Sequence, residues 1–141
     1  MSLNQEIRPD NIIYPQAVSP AATVQTNVGM YRSMAKYRMG LMIITAQLTA
    51  GKTAIAQLTC ASDSSGTGKA DVTGKTVTIT GTTSVPSQVG TIGFDCSDLT
   101  GIDQSKYWAG CDITTNQDGD SVQSTLIRSA ARYYEGSNMP S

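Results

Sequence analysis

The chain has 141 residues, enough for one domain with a real core and no need of disulfide or metal staples. Only 15% of the residues are charged, the net charge is −1, and there is no histidine. So small a net charge gives no general pull toward nucleic acid or a membrane. The missing histidine removes the commonest general base and metal ligand, and with them any Ser-His or Cys-His nucleophile within the chain.

Ser, Thr and Gly are abundant, which suits strands and turns. The low charge suits a surface covered by partners better than one fully solvated. Bases gather early (Arg8, Arg32, Lys36, Arg38, Lys52) and acids late (Asp95, Asp98, Asp103, Asp112, Asp118, Asp120). Head-to-tail packing could use that asymmetry, but two ordinary solvated faces explain it as well. The three cysteines, Cys60, Cys96 and Cys111, are odd in number, lack Cys-x-x-Cys spacing and sit beside apolar strand residues, so they read as buried free thiols. Residues 1–10 have no apolar stretch of secretory type. The longest apolar run, Leu41–Ile44, is too short for a bilayer.

In chain order, residues 1–23 read as an extended N-terminal arm. Pro9, Pro15 and Pro20 break it, while Ile7, Ile12, Ile13 and Tyr14 give it something to bury on its own domain or a neighbour. Removal of residues 1–14 is expected to leave a folded domain that attaches less well to its partner. Residues 24–34 suggest a first strand with Gly29 as a possible bulge. Residues 37–48 form the clearest core strand. Met39, Leu41 and Ile43 share one face; Met42, Ile44, Ala46 and Leu48 share the other, which predicts coverage on both sides.

A tight turn at 49–52 leads to a half-buried strand over 53–60. A loop over 61–74 precedes the alternating Lys75–Thr80 strand. Further strands are expected at 88–94 and 106–115, with a polar link at 95–105. Asp118-Gly119 signals a hairpin. Residues 121–134 fit a helical stripe (Val122, Leu126, Ala130, Tyr134) or a strand face; the preceding strand and turn favour a strand hairpin partner. The prediction is an all-β, antiparallel, jelly-roll-like sandwich of seven or eight strands. It comprises the arm (1–23), the sandwich (24–134) and a C-terminal tail (135–141).

Candidate chemistry is sparse. Residues 46–53 fit a relaxed phosphate-loop pattern, but the loop is not Gly-rich and residues 53–60 beyond it alternate like a strand. Asn116, Asp118 and Asp120 around Gly119 lack the terminal positions of an EF-hand, which leaves only a weak, irregular calcium site conceivable. Asp95 and Asp98 are typical cap or turn formers and define no cleft by themselves. Tyr31, Tyr37, Arg32, Lys36 and Arg38 make a basic-aromatic cluster that edge protection explains as well as nucleic-acid contact does. No catalytic residue, metal site or cofactor is expected. Tyr133 and Tyr134, with Trp108, are candidate interface anchors, or else core residues.

The order of these pieces resembles the jelly-roll cement proteins that decorate tailed-phage heads, and within them the cement protein of Bordetella-type phages. The carrying segments are Gly29-Met30-Tyr31, Tyr37–Leu41, the Leu48–Lys52 turn, the strand 53–59, the Ala61–Lys69 loop, the Thr76–Thr80 strand and Phe94-Asp95. The likeness spans residues 24–132 and is most specific over Leu48–Lys69.

The resemblance implies a jelly-roll that self-associates and stabilises a capsid by bridging major capsid protein subunits on the outer surface of the virion. The chain would be made in the bacterial cytoplasm. Expected partners are the phage major capsid protein and further copies of the chain, a homodimer before a trimer because two-fold closure is commonest. Nucleic acid and membrane are not expected partners. Expected partner-binding residues are Ile7, Ile12, Ile13, Tyr14, Tyr133 and Tyr134. The alternatives are a carbohydrate-binding or adhesion module of a virion fibre, for which Trp108 is poorly placed inside a strand, and another head or tail subunit.

Overall fold

The computed structural model describes residues 8–17, 24–26, 31–82, 87–117 and 120–131. The strands are β1 (Arg8–Ala17), β2 (Val24–Thr26), β3 (Arg32–Ser33), β4 (Tyr37–Gln47), β5 (Thr53–Ala61), β6 (Ala70–Thr80), β7 (Ser87–Asp95), β8 (Trp108–Thr115) and β9 (Ser121–Ala131). One short helix, α1 (Cys96–Thr100), follows β7. The first sheet runs β1-β9-β4-β7 and the second β2-β8-β5-β6, with β3 also paired to β8. Every pairing is antiparallel. Because β2 and β3 lie along the same β8 strand, they act as one interrupted strand. The result is an eight-position, two-sheet jelly roll.

The period-2 pattern makes the core. Met42, Ile44 and Ala46 of β4 face Ala54, Ala56 and Leu58 of β5, and Ile92, Phe94, Ile113, Val122 and Leu126 fill the space between. Gly40 belongs to this packing, because a β-carbon there would meet the Phe94 ring at 2.3 Å.

Several expectations change. The 49–52 turn and the 116–120 segment are not hairpins. Each carries the chain from one sheet to the other, and β5–β6 is the one consecutive pair that shares a ladder among the described strands. Turn residues signal a reversal but not which sheet receives the next strand. The two corners are tied together by Thr49, which donates its N–H and hydroxyl to Asp120 (3.1 and 2.9 Å), and the 49–52 corner is also held to the end of β6, where Gly51 N–H donates to Gly81 O at 2.9 Å.

Residues 121–131 are a strand held between β1 and β4. The loop expected over 61–74 is shorter, since β6 begins at Ala70 and buries Val72. Its register shifts between Gln57 and Thr59, and the Gln57 amide bridges the irregularity by donating to Val72 O at 2.9 Å. The polar link at 95–105 contains α1, whose first turn is closed by the Asp98 carboxylate accepting from Asp95 N–H at 2.8 Å.

The N-terminal boundary also moves. Residues 8–17, assigned above to an arm outside the sandwich, are the edge strand beside β9, and Ile12 and Ile13 are buried in the chain's own core. Cutting away residues 1–14 would therefore strip core contacts instead of sparing the fold. The first predicted strand, 24–34, is two short pieces, and Gly29 lies outside the described residues.

Candidate interaction surfaces

With the core between the sheets, function falls to the two outward faces. On the outer face of β2-β8-β5-β6, alternation turns Thr59, Gly110 and Asp112 outward. Tyr31, just before β3, lies across this face and is only 2% exposed. Gly110 is the β8 partner of Thr59 in register. The Tyr31 and Thr59 hydroxyls are 2.9 Å apart.

Residues 62–69 then fold over the tyrosine. Gly66 has φ +86°, and a β-carbon there would stand 2.9 Å from the ring. Asp63 organises this strap by accepting from the N–H groups of Ser65 and Thr67 at 2.9 and 3.0 Å. A hydrogen bond from the Thr67 side chain, joined by these backbone bonds, holds the Asp63 carboxyl below its usual range. The strap closes with an ion pair from Lys69 to Asp112. Burial raises the Asp112 pKa against the opposing pull of Lys69, and Asp112 Oδ1 is buried without a hydrogen-bond partner. Burial likewise pushes Tyr31 up to about 12.

The outer face of β1-β9-β4-β7 has no such cover among the described residues. Met39 is 51% exposed, Leu41 37% and Val89 64%. Ile43 and Ile127 are half-buried beside them. The sequence pattern predicted that this side of β4 would be covered, and no described residue covers it. Its neighbours in register are mixed: Ile127 and Val89 are apolar, Ser129, Thr125, Gln123, Gly93 and Thr91 are small or polar, and Asp95 beside Met39 is acidic. A shallow hollow of about 510 Å³ lies over Gly93, bordered by Met39, Leu41, Ile127, Lys75 and Asp98.

The sequence-predicted partner residues part company. Ile12 and Ile13 are core residues. Tyr14 lies in β1, but its side chain is outside the description, as are Ile7, Tyr133 and Tyr134 altogether. The basic-aromatic cluster is dispersed. Tyr31 is under the strap, while the Arg128 guanidinium sits 4.9 Å from the Tyr37 ring centre and donates to Ser33 O at 2.9 Å. Trp108 is half-buried beside Tyr107, ring centres 6.2 Å apart.

Of the candidate calcium loop, Asp118 and Gly119 lie outside the described residues, while Asp120 makes the bonds above and Asn116 Oδ1 accepts from Thr53 N–H at 2.9 Å. No cluster of three or more metal-ligating side chains occurs among the described residues. The phosphate-loop candidate is the 49–52 corner, which leads into β5 and presents no helix N-terminus. All three cysteines are buried, and none is joined in a disulfide. Burial raises the Cys60 thiol and pushes Cys111 up to about 12, so neither is an activated thiolate at neutral pH.

No family model and no curated protein matches the chain. Solved structures do. The structure of infectious bursal disease virus Gx strain superposes with a TM-score of 0.54 at 12% identity, covering 94% of this chain and 34% of that one. The Gt strain gives 0.51 at 9% identity, covering 94% and 35%. This chain thus spans about a third of the length of those virus chains. A structure of Bacillus endospore appendages, described as a novel family of disulfide-linked pili, gives 0.45 at 13% identity, covering 89% and 88%. At these identities the two virus structures establish the fold class alone, a jelly-roll-like β-sandwich.

Proposed function

We propose that this protein is a structural component of a virus particle, and specifically a cement protein that coats a tailed-phage head by bridging major capsid protein subunits. The observation that carries the reading is the uncovered apolar face of β1-β9-β4-β7. A chain with few charges, no histidine and exposed Met39, Leu41 and Val89 is built to be covered by another protein. The jelly-roll topology and the resemblance over Leu48–Lys69 support the same reading. Stabilisation would follow from mass action: a copy that binds only the assembled shell adds its binding free energy to that shell. Gross apolar burial contributes about 25 cal/mol per Å², and the surplus over ordering costs is what the shell gains. Ile7, Tyr14, Tyr133 and Tyr134 are proposed as additional shell contacts. Ile12 and Ile13 act indirectly, by fixing β1 against β9.

The test is co-sedimentation of the purified protein with phage heads lacking it, counting occupancy per capsid subunit. Saturation at a fixed ratio, with greater heat resistance of the heads, is the expected outcome. Absence of binding to intact, expanded heads would overturn the reading, and glycan binding lost in Trp108→Ala would favour a fibre module instead.

A further inference from the structure

The 62–69 strap ends on a buried charge that its surroundings leave half satisfied. Asp112 sits in β8 with Gln57 of β5 on one side and Thr26 of β2 on the other. Its side chain is only 13% exposed. Oδ2 takes the Lys69 ammonium, while Oδ1 is buried without a hydrogen-bond partner. A buried ion pair offsets its desolvation only when its remaining lone pairs are also bonded. An unbonded carboxylate oxygen costs more than an unbonded neutral carbonyl.

Loss of charge relieves that cost. The pair becomes neutral when the ammonium passes one proton to the carboxylate. Burial of Asp112 favours the acid, the charge of Lys69 opposes it, and the like charge of Asp71 on β6 supports it. A neutral amine lying against a carboxylic acid is the reactive pair for amide formation. In water, hydration of the two ions works against that reaction. At Asp112 most of that hydration is gone.

Both groups are also held in place. Lys69 is anchored on each side: its N–H donates to Gly66 O at 3.2 Å, and Ala70 is already in register with Cys60. The strap before it is closed by Ser62, whose N–H and hydroxyl both donate to Thr67 O at 2.9 Å. Asp112 is fixed by the two strands that flank it. The Tyr31 ring, 2% exposed, lies under the same strap. A nucleophile fixed against its carbonyl reacts as an intramolecular neighbour and avoids the entropic cost of an encounter.

We propose that Lys69 and Asp112 form a self-modification site, where the lysine amine and the aspartate carboxyl condense to an amide that ties the strap covalently to β8. The ammonium first passes one proton to the carboxylate. Nζ then bonds to Cγ, the Cγ–OH bond breaks, and the hydroxyl leaves as water with a second proton from the nitrogen. Ammonium and carboxylate become amide and water, with no change of oxidation state and no co-reactant. The product is neutral, so the buried ion pair disappears. The new bond closes a loop of chain that contains β6, β7 and α1, and constrains the unfolded chain as a disulfide does. The modification is a property of the chain alone, whatever the protein attaches to.

Mass spectrometry of the full chain, denatured after storage in the folded state, tests it. The wild type is expected to weigh one water less than its sequence. Trypsin should leave Lys69 uncut and release one branched product, residues 53–75 joined to residues 107–128. Lys69→Arg keeps the positive charge, but its guanidinium stays protonated and cannot condense. Asp112→Ala removes the carboxyl. Both variants should keep their full sequence mass and give only unbranched peptides. A wild type that retains its full mass after prolonged storage holds an ion pair and nothing more, which overturns the proposal. A lost water that maps to Asp118-Gly119 as an unbranched ring closure, or that persists in Lys69→Arg, overturns it equally.

Discussion

The two outward faces of the sandwich solve the same problem differently. Each sheet must do something with residues that alternation turns away from the core. The β2-β8-β5-β6 sheet covers part of its outer face from within the chain, laying Tyr31 against Thr59 and closing the 62–69 strap with Lys69 and Asp112. The β1-β9-β4-β7 sheet leaves Met39, Leu41 and Val89 open. A face covered by its own chain should contribute to folding. A face left open should contribute almost nothing to folding and much to association.

Substitutions that strike the two faces separately can break that contrast. The largest effect is expected from Tyr31→Ala, which empties the space beneath the strap and should cost about 3–5 kcal/mol in urea unfolding. A loss below about 1 kcal/mol would mean the strap is ornamental. Gly66→Ala comes next, at about 1–2 kcal/mol, since it combines a left-handed backbone with a β-carbon at 2.9 Å from the tyrosine ring.

Tyr31→Phe keeps the ring and should cost about 1 kcal/mol at neutral pH for the lost bond to Thr59. It also carries a pH signature. A phenol raised from 10.0 to about 12 favours the folded state while it stays protonated. That stability is fully present below pH 10 and lost as pH rises toward about 12. The Phe variant should lose less stability over that window, while the shared Cys111 contribution cancels. Equal losses would show that the hydroxyl is not insulated. The smallest effect on folding is expected from Met39→Ser, within about 0.5 kcal/mol of wild type. A loss above about 2 kcal/mol would place Met39 in the core and end the contrast.

Much of the fold was legible because it depends on local pattern. The alternation of 39–48, 53–60 and 75–80 located strands whose inward residues are the observed core. Topology was less legible. Gly51 and Asp118-Gly119 mark reversals, and only the spatial arrangement shows that the chain changes sheet at both corners. The 8–17 strand was hidden by Pro9 and Pro15, which edge strands tolerate and central strands do not.

The open face was half visible. Met39, Leu41 and Ile43 stood out as a second apolar side of β4, and coverage by the same chain was the natural inference. The opposing signal lay in part of the neighbours: beside the apolar Ile127 and Val89 stand Gly93, Thr91, Thr125 and Ser129, small and polar for the inner side of another layer, but their pairing with β4 cannot be read from one sequence. The partner residues proposed from the arm failed to separate a core strand from a contact, since Ile12 and Ile13 are as apolar as either role requires.

One reconstruction of a decorated phage head by electron microscopy would test the central claim most directly. The account predicts the jelly roll on the outer surface with the open β1-β9-β4-β7 face buried against another polypeptide, and with Met39, Leu41 and Gly93 out of contact with solvent. That same face turned to solvent in every copy, whatever else held the protein to the shell, would contradict it.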